Sequence, residues 1–176
     1  MQWLKMRDAR RLVRYVSGRT KPVAQFLLLT GARVSEALRL SVKDIDWGQS
    51  IVWIPTLKRR TPGKRPYPLT SSLRSMLKAA CEGKRQRHRV FPVSRQAVHK
   101  ALKRAGRKAH LPLHLCHAHT LRHTYAMHLT MKGVPAAIIQ RLLGHAKLTS
   151  TQVYVEHAAL PELAEWVKKA LGEDEA

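Results

Sequence analysis

The chain has 176 residues, 44% of them hydrophobic, and 33 Lys and Arg stand against 11 Asp and Glu, a net charge of +22 with His neutral. That length and apolar content build one domain with a real core and exclude a disordered chain. No apolar run spans a bilayer and no signal peptide is present, so the charge points to a polyanion, nucleic acid first, rather than to a membrane. The 2 cysteines, Cys81 and Cys116, fit a reduced, intracellular protein and require no disulfide.

Met6, Ala9, Val13 and Val16 recur at helical spacing, and Arg7, Arg10, Arg11 and Arg14 form the other face. Ser17-Gly18 ends this helix. Thr20 is the expected cap of a second helix with Pro22 in its first turn. Its run Phe26 to Leu29 predicts a central, buried element, closed by Gly31. In the stretch after it, Arg33 and Glu36 stand three apart. They suit either a weak surface ion pair or an arginine aimed at phosphate and held by a carboxylate. Ser50 to Ile54 is β-branched and aromatic and reads as a strand. Arg65 to Leu69 returns as its partner, with Pro66 and Pro68 making it an edge. Leu57 to Lys64 is a basic hairpin tip. Leu73, Met76, Leu77 and Ala80 mark another helix, with Ser71 or Ser72 as cap.

Glu82 to Arg89 is a charged connector, and Val90-Phe91-Pro92 a short extended piece. Ser94 caps a helix with the apolar stripe Val98, Ala101, Leu102 and Ala105. Arg95, Lys100, Lys103, Arg104, Arg107 and Lys108 lie opposite, a face suited to a DNA backbone or groove. His114, Cys116, His117 and His119 crowd together, but zinc sites draw ligands from two spaced pairs, so no metal site is expected. His119 and Arg122 share one helical face, about 5–6 Å apart at Cβ. An imidazole beside a guanidinium fork is a good seat for phosphate. That helix runs on from His119 to about Lys132 and ends at Gly133. Pro135 opens the next, with Ile138, Ile139, Leu142 and Leu143 buried, and Gly144 ends it so that His145 projects beyond. A short turn starting at Thr149, Ser150 or Thr151 bears Tyr154. Leu160, Leu163, Ala164, Val167 and Leu171 stripe a last helix before an acidic tail. Helical segments against one hairpin predict a mainly α fold with a small antiparallel sheet. No repeat or linker divides the chain, so residues 1–176 read as one domain.

Taken together, Thr30-Gly31-Ala32-Arg33-Val34-Ser35-Glu36, a lysine on a hairpin, His119-x-x-Arg122-His123, Leu142-Leu143-Gly144-His145 and then Tyr154 resemble the catalytic domain of the tyrosine recombinases, the lambda-integrase and Xer class. The likeness runs from about Arg10 to His157. It implies that Arg33 and Arg122 bind phosphate, that Glu36 supports Arg33, and that Tyr154 is the nucleophile. His119 takes the tyrosine proton and His145 bonds the phosphate. Lys58 is the hairpin general acid. Lys64 competes for that role, but Lys58 sits at the end of the first strand, where the family places its lysine. Tyr125 is a rival nucleophile, set among apolar neighbours as core residues are.

The implied reaction is site-specific cleavage and rejoining of double-stranded DNA through a 3′-phosphotyrosine, without cofactor or metal. Arg59, Arg60, Lys64, Arg95, Lys100, Lys103, Arg104 and Arg107 are the expected DNA contacts. The resemblance further implies a cytoplasmic protein, monomeric or weakly associating when free and tetrameric on DNA, with the segment 160–171 docked on a neighbouring protomer. The N-terminal DNA-binding domain usual in the family has no expected counterpart in this chain. A type IB topoisomerase-like enzyme and a DNA-binding module without chemistry are the alternatives.

Overall fold

The computed structural model of the chain describes residues 2–56 and 63–144. Within them the order is α1 (Met6–Tyr15), α2 (Lys21–Thr30), α3 (Val34–Arg39), β1 (Ile45–Asp46), β2 (Ile51–Thr56), β3 (Gly63–Pro68), α4 (Ser71–Cys81), α5 (Arg95–Lys108), α6 (Ala118–Met131) and α7 (Ala136–Leu143). The expected mainly α fold with a small antiparallel sheet is the fold that forms.

Helix α2 is the centre. Val23, Ala24, Phe26, Leu27, Leu28 and Thr30 are all buried, and α1, α3, α4, α5 and α6 pack around it. Val23, Phe26, Leu27 and Leu28 each contribute about 1.5–3 kcal/mol of transfer free energy. Phe26 meets Phe91 with ring centroids 5.3 Å apart, which pins the extended piece after the connector to the core. Leu4 ties α1 to α6, exchanging backbone hydrogen bonds with the Thr124 hydroxyl at 3.2 and 3.0 Å.

The sheet has the order β1-β2-β3, antiparallel throughout, with β3 at an edge as its two prolines require. Strand alternation sorts the side chains. Val52 pairs with Tyr67 and Ile54 with Arg65, and all four face inward, while Trp53 faces out. Gly31 ends α2 with φ +63°, and a Cβ there would stand 2.4 Å from Tyr125 Cδ1 and 2.7 Å from Leu143 Cδ2. Glycine is thus required twice at this point, by backbone conformation and by the close approach of α6 and α7.

Several local expectations are corrected. Thr20 does not cap α2: its hydroxyl donates to the Ser17 carbonyl at 3.0 Å. Thr70, not Ser71 or Ser72, caps α4 by accepting from the Leu73 N–H. Helix α6 begins at Ala118, one residue before the expected start at His119, so His119 lies in its first turn. Ile138 is 44% exposed, one residue off the buried stripe of Ile139 and Leu143. Helix α3 and strand β1 were not anticipated. Lys58, Arg59, Arg60, His145, Tyr154 and the segment 160–171 lie outside the described residues.

Candidate active site

Three helix starts meet at one cleft. Arg33 is the N-cap of α3, Arg95 opens α5, and α6 carries His119 in its first turn and Arg122 one turn on. The cleft has a volume of about 400 Å³ and is lined by Arg33, Arg95, His99, His117, His119 and Arg122 among others. Among the described residues that line it there is no carboxylate. The positive end of the α6 dipole adds to the guanidinium charges, so the cleft favours an anion.

Arg33 is not part of a surface ion pair. Glu36 is 0% exposed, and its Oε1 accepts from Arg33 Nη1 at 2.8 Å. Its Oε2 accepts the Arg33 backbone N–H at 3.0 Å, the reach of an N3 carboxylate back to the cap. The same Oε2 accepts from Arg65 Nη1 at 3.1 Å. One buried carboxylate therefore holds two guanidiniums. Only one of them, Arg33, opens on the cleft, with its side chain 24% exposed.

Arg122 forms the floor and is itself 2% exposed. Its Nη1 donates to the Gly31 carbonyl at 2.7 Å and its Nη2 to the Leu143 carbonyl at 3.0 Å. These carbonyls end α2 and α7, where helices leave acceptors without partners. The guanidinium fork is thus set by backbone on two sides.

The imidazoles differ in duty. His117 caps α6, its Nδ1 accepting from the Thr120 N–H at 3.2 Å, which needs an unprotonated Nδ1. Burial, then Lys103, His119 and His99, hold its pKa below the ordinary imidazole value. His119 stands edge-on to His123, with ring centroids 4.1 Å apart. His123 is pushed down to about 4 by burial, then by His119 and Arg122, so it is neutral near pH 7.

The remaining candidates sort by position. Lys64 Nζ is engaged by Asp44 Oδ1 at 2.6 Å. Tyr125 is 7% exposed and its hydroxyl lies 2.7 Å from that of Tyr67, whose proton goes to the Leu29 carbonyl. Tyr125 is therefore the donor of that pair, and burial raises its pKa, as a core tyrosine requires. Arg95 lines the cleft, and Lys100, Arg104 and Arg107 lie exposed on α5. Lys103 donates to the Leu113 carbonyl at 2.6 Å and braces the turn before α6. Two residues escaped the sequence reading. His99 sits one turn after Arg95, a spacing that placed it on the same face. Arg65 shares its strand face with Tyr67, a period-two signal that pointed it inward.

The fold and the cleft define a helical domain with a two-arginine, histidine-lined anion site. The chain belongs to the phage integrase family, whose model matches residues 2–160. It is 30% identical over 151 residues to tyrosine recombinase XerA of Saccharolobus solfataricus, covering 86% of this chain and 50% of that protein. It is 31% identical over 153 residues to tyrosine recombinase XerC of Bacillus subtilis, covering 77% of this chain and 48% of that one. The chain thus spans about half the length of these curated relatives. Among solved structures, the catalytic domain of bacteriophage HP1 integrase matches with a TM-score of 0.71 at 27% identity, over 96% of this chain and 94% of that one. A XerA recombinase crystal structure matches with a TM-score of 0.75 at 24% identity, over 97% of this chain and 63% of that one.

Proposed function

We propose that this chain is the catalytic part of a site-specific DNA recombinase, cleaving and rejoining strands through a covalent 3′-phosphotyrosine. The observation that carries the reading is the convergence of Arg33, His119 and Arg122 on one cationic cleft, with Glu36 buried behind Arg33. Relatives named tyrosine recombinases and a DNA-bound recombinase of the same fold support DNA as the substrate.

In this mechanism the Tyr154 phenolic oxygen attacks the scissile phosphorus. The bond from phosphorus to the 5′ oxygen breaks as the bond to tyrosine forms. Lys58 gives its proton to the departing 5′-hydroxyl, and His119 takes the proton from the tyrosine. Arg33 and Arg122 stabilise the non-bridging oxygens as charge builds on them, and His145 donates to the same phosphate. Attack by the 5′-hydroxyl of another strand reverses each step and regenerates the tyrosine. The phosphotyrosine conserves the ester, so no nucleotide is consumed. The Asp44 contact of Lys64 supports Lys58 for the acid role, since it draws the rival ammonium to a carboxylate.

The net charge of +22 supports duplex binding beyond the cleft. Arg59, Arg60, Arg95, Lys100, Arg104 and Arg107 are the residues we assign to it. We expect a tetramer on DNA, assembled through segment 160–171, and a monomer or weak associate in free solution. No helix of the described residues is long and apolar enough to cross a membrane. A cytoplasmic location is the one we assign, on the proposed action on DNA alone.

The test is adduct formation on nicked suicide duplexes tiled across the DNA flanking the coding sequence. On a denaturing gel the wild type forms a protein–DNA adduct and Tyr154→Phe forms none while still binding DNA. Adduct formation by the Phe variant would overturn the assignment of the nucleophile.

A further inference from the structure

Arg65 has no place in the mechanism above, yet three elements of the site converge on it. It sits on β3 opposite Ile54 with its side chain 8% exposed. Its Nη1 donates to Glu36 Oε2 at 3.1 Å, the carboxylate that also holds Arg33. Its Nε donates to the Leu142 carbonyl at 3.0 Å. The next carbonyl, that of Leu143, belongs to Arg122. Two guanidiniums thus take consecutive acceptors at the negative end of α7. Gly144 follows with φ +66°, and a Cβ there would lie 2.9 Å from Arg65 Cδ and 3.1 Å from its Nη1. The guanidinium therefore lies against the residue that leads from α7 to His145.

We propose that Arg65 is a positioning residue for strand cleavage: it joins the carboxylate that orients Arg33 to the end of α7, and so fixes Arg33, Arg122 and the exit toward His145 relative to one another. The inference rests on the cleavage reading given above. Stability alone does not account for the residue. A guanidinium buried in a strand costs desolvation, and exchanging a buried ion pair for apolar side chains of similar volume is often neutral or stabilising. Among the described residues, Arg65 Nη2 is a buried side-chain nitrogen without a hydrogen-bond partner, which adds to that cost. A planar fork able to reach a carboxylate and a carbonyl at once is what the position demands, and neither lysine nor an apolar residue supplies it.

The test compares wild type, Arg65→Met and Arg65→Lys in single-turnover adduct formation on the nicked duplexes, with thermal unfolding and duplex binding measured alongside. Both variants are expected to fold and to bind duplex, while cleavage at saturating DNA falls by about 100-fold for Met and less for Lys, the scale of a misplaced catalytic group. In an Arg33→Ala background the Arg65→Met change is expected to add little further loss, because both act through one arrangement. Wild-type cleavage by Arg65→Lys, additive losses in the double variant, or loss of cleavage only in step with lost folding or binding would each overturn the proposal. If the wild type itself forms no adduct on any duplex, the cleavage reading fails, an outcome distinct from these.

Discussion

Glu36 is a fully buried carboxylate between two guanidiniums, with three donors on its two oxygens. Its charge matters more than its shape. Glu36→Gln keeps the size and removes the counter-ion of Arg65, whose pKa burial already lowers and Glu36 raises. Removing one partner of a buried ion pair costs about 3–5 kcal/mol, because the other charge is left without compensation. Chemical denaturation of Glu36→Gln is expected to show a loss of that order, together with slower strand cleavage. An unchanged denaturation midpoint would mean that the ion pair does not organise the site. At this scale the sequence was informative where contacts are local. Arg33 with Glu36, and His119 with Arg122, follow from i, i+3 spacing. The Arg65 contacts with Glu36 and Leu142 span 29 and 77 residues, and spacing carries no such information.

At the scale of elements, the site depends on how closely α2, α6 and α7 approach at Gly31. Its carbonyl accepts from Arg122, and its α-carbon faces Tyr125 and Leu143. Gly31→Ala combines a left-handed backbone, costing a side chain about 1–2 kcal/mol, with overpacking of about 1–3 kcal/mol. A stability loss of about 2–5 kcal/mol, read from urea unfolding, is the expected result. A loss within error would show that α6 and α7 can yield there. The longer elements were legible by different signals: α1, α4, α5 and α7 from apolar residues at helical spacing, α2 from its apolar run closed by Gly31, α6 from the spacing of His119 and Arg122 and from Gly133 at its end, and the β2–β3 hairpin from β-branched and aromatic residues. Helix α3 has 6 residues and β1 has 2, too few for a period to show. Caps were misassigned where several hydroxyls adjoin, as with Thr70, Ser71 and Ser72, since only backbone geometry decides which one accepts. Ile138 was placed in the core by its apolarity, but the helix turns it about 100° away from Ile139.

For the whole molecule, the excess of 33 basic over 11 acidic residues is expected to govern the proposed encounter with DNA. Each phosphate neutralised releases counterions, so log affinity should fall with log salt by about 0.9 per contact. Anisotropy titrations of a labelled duplex over a salt series are expected to give a steep slope. A flat one would separate the charge from binding. The proposed chemistry is read out by isolating the covalent adduct, digesting both protein and DNA, and locating the linkage by mass spectrometry. A 3′-phosphate on Tyr154 and a free 5′-hydroxyl on the released strand are expected. A linkage through Tyr125, or through a 5′-phosphate, would contradict that chemistry.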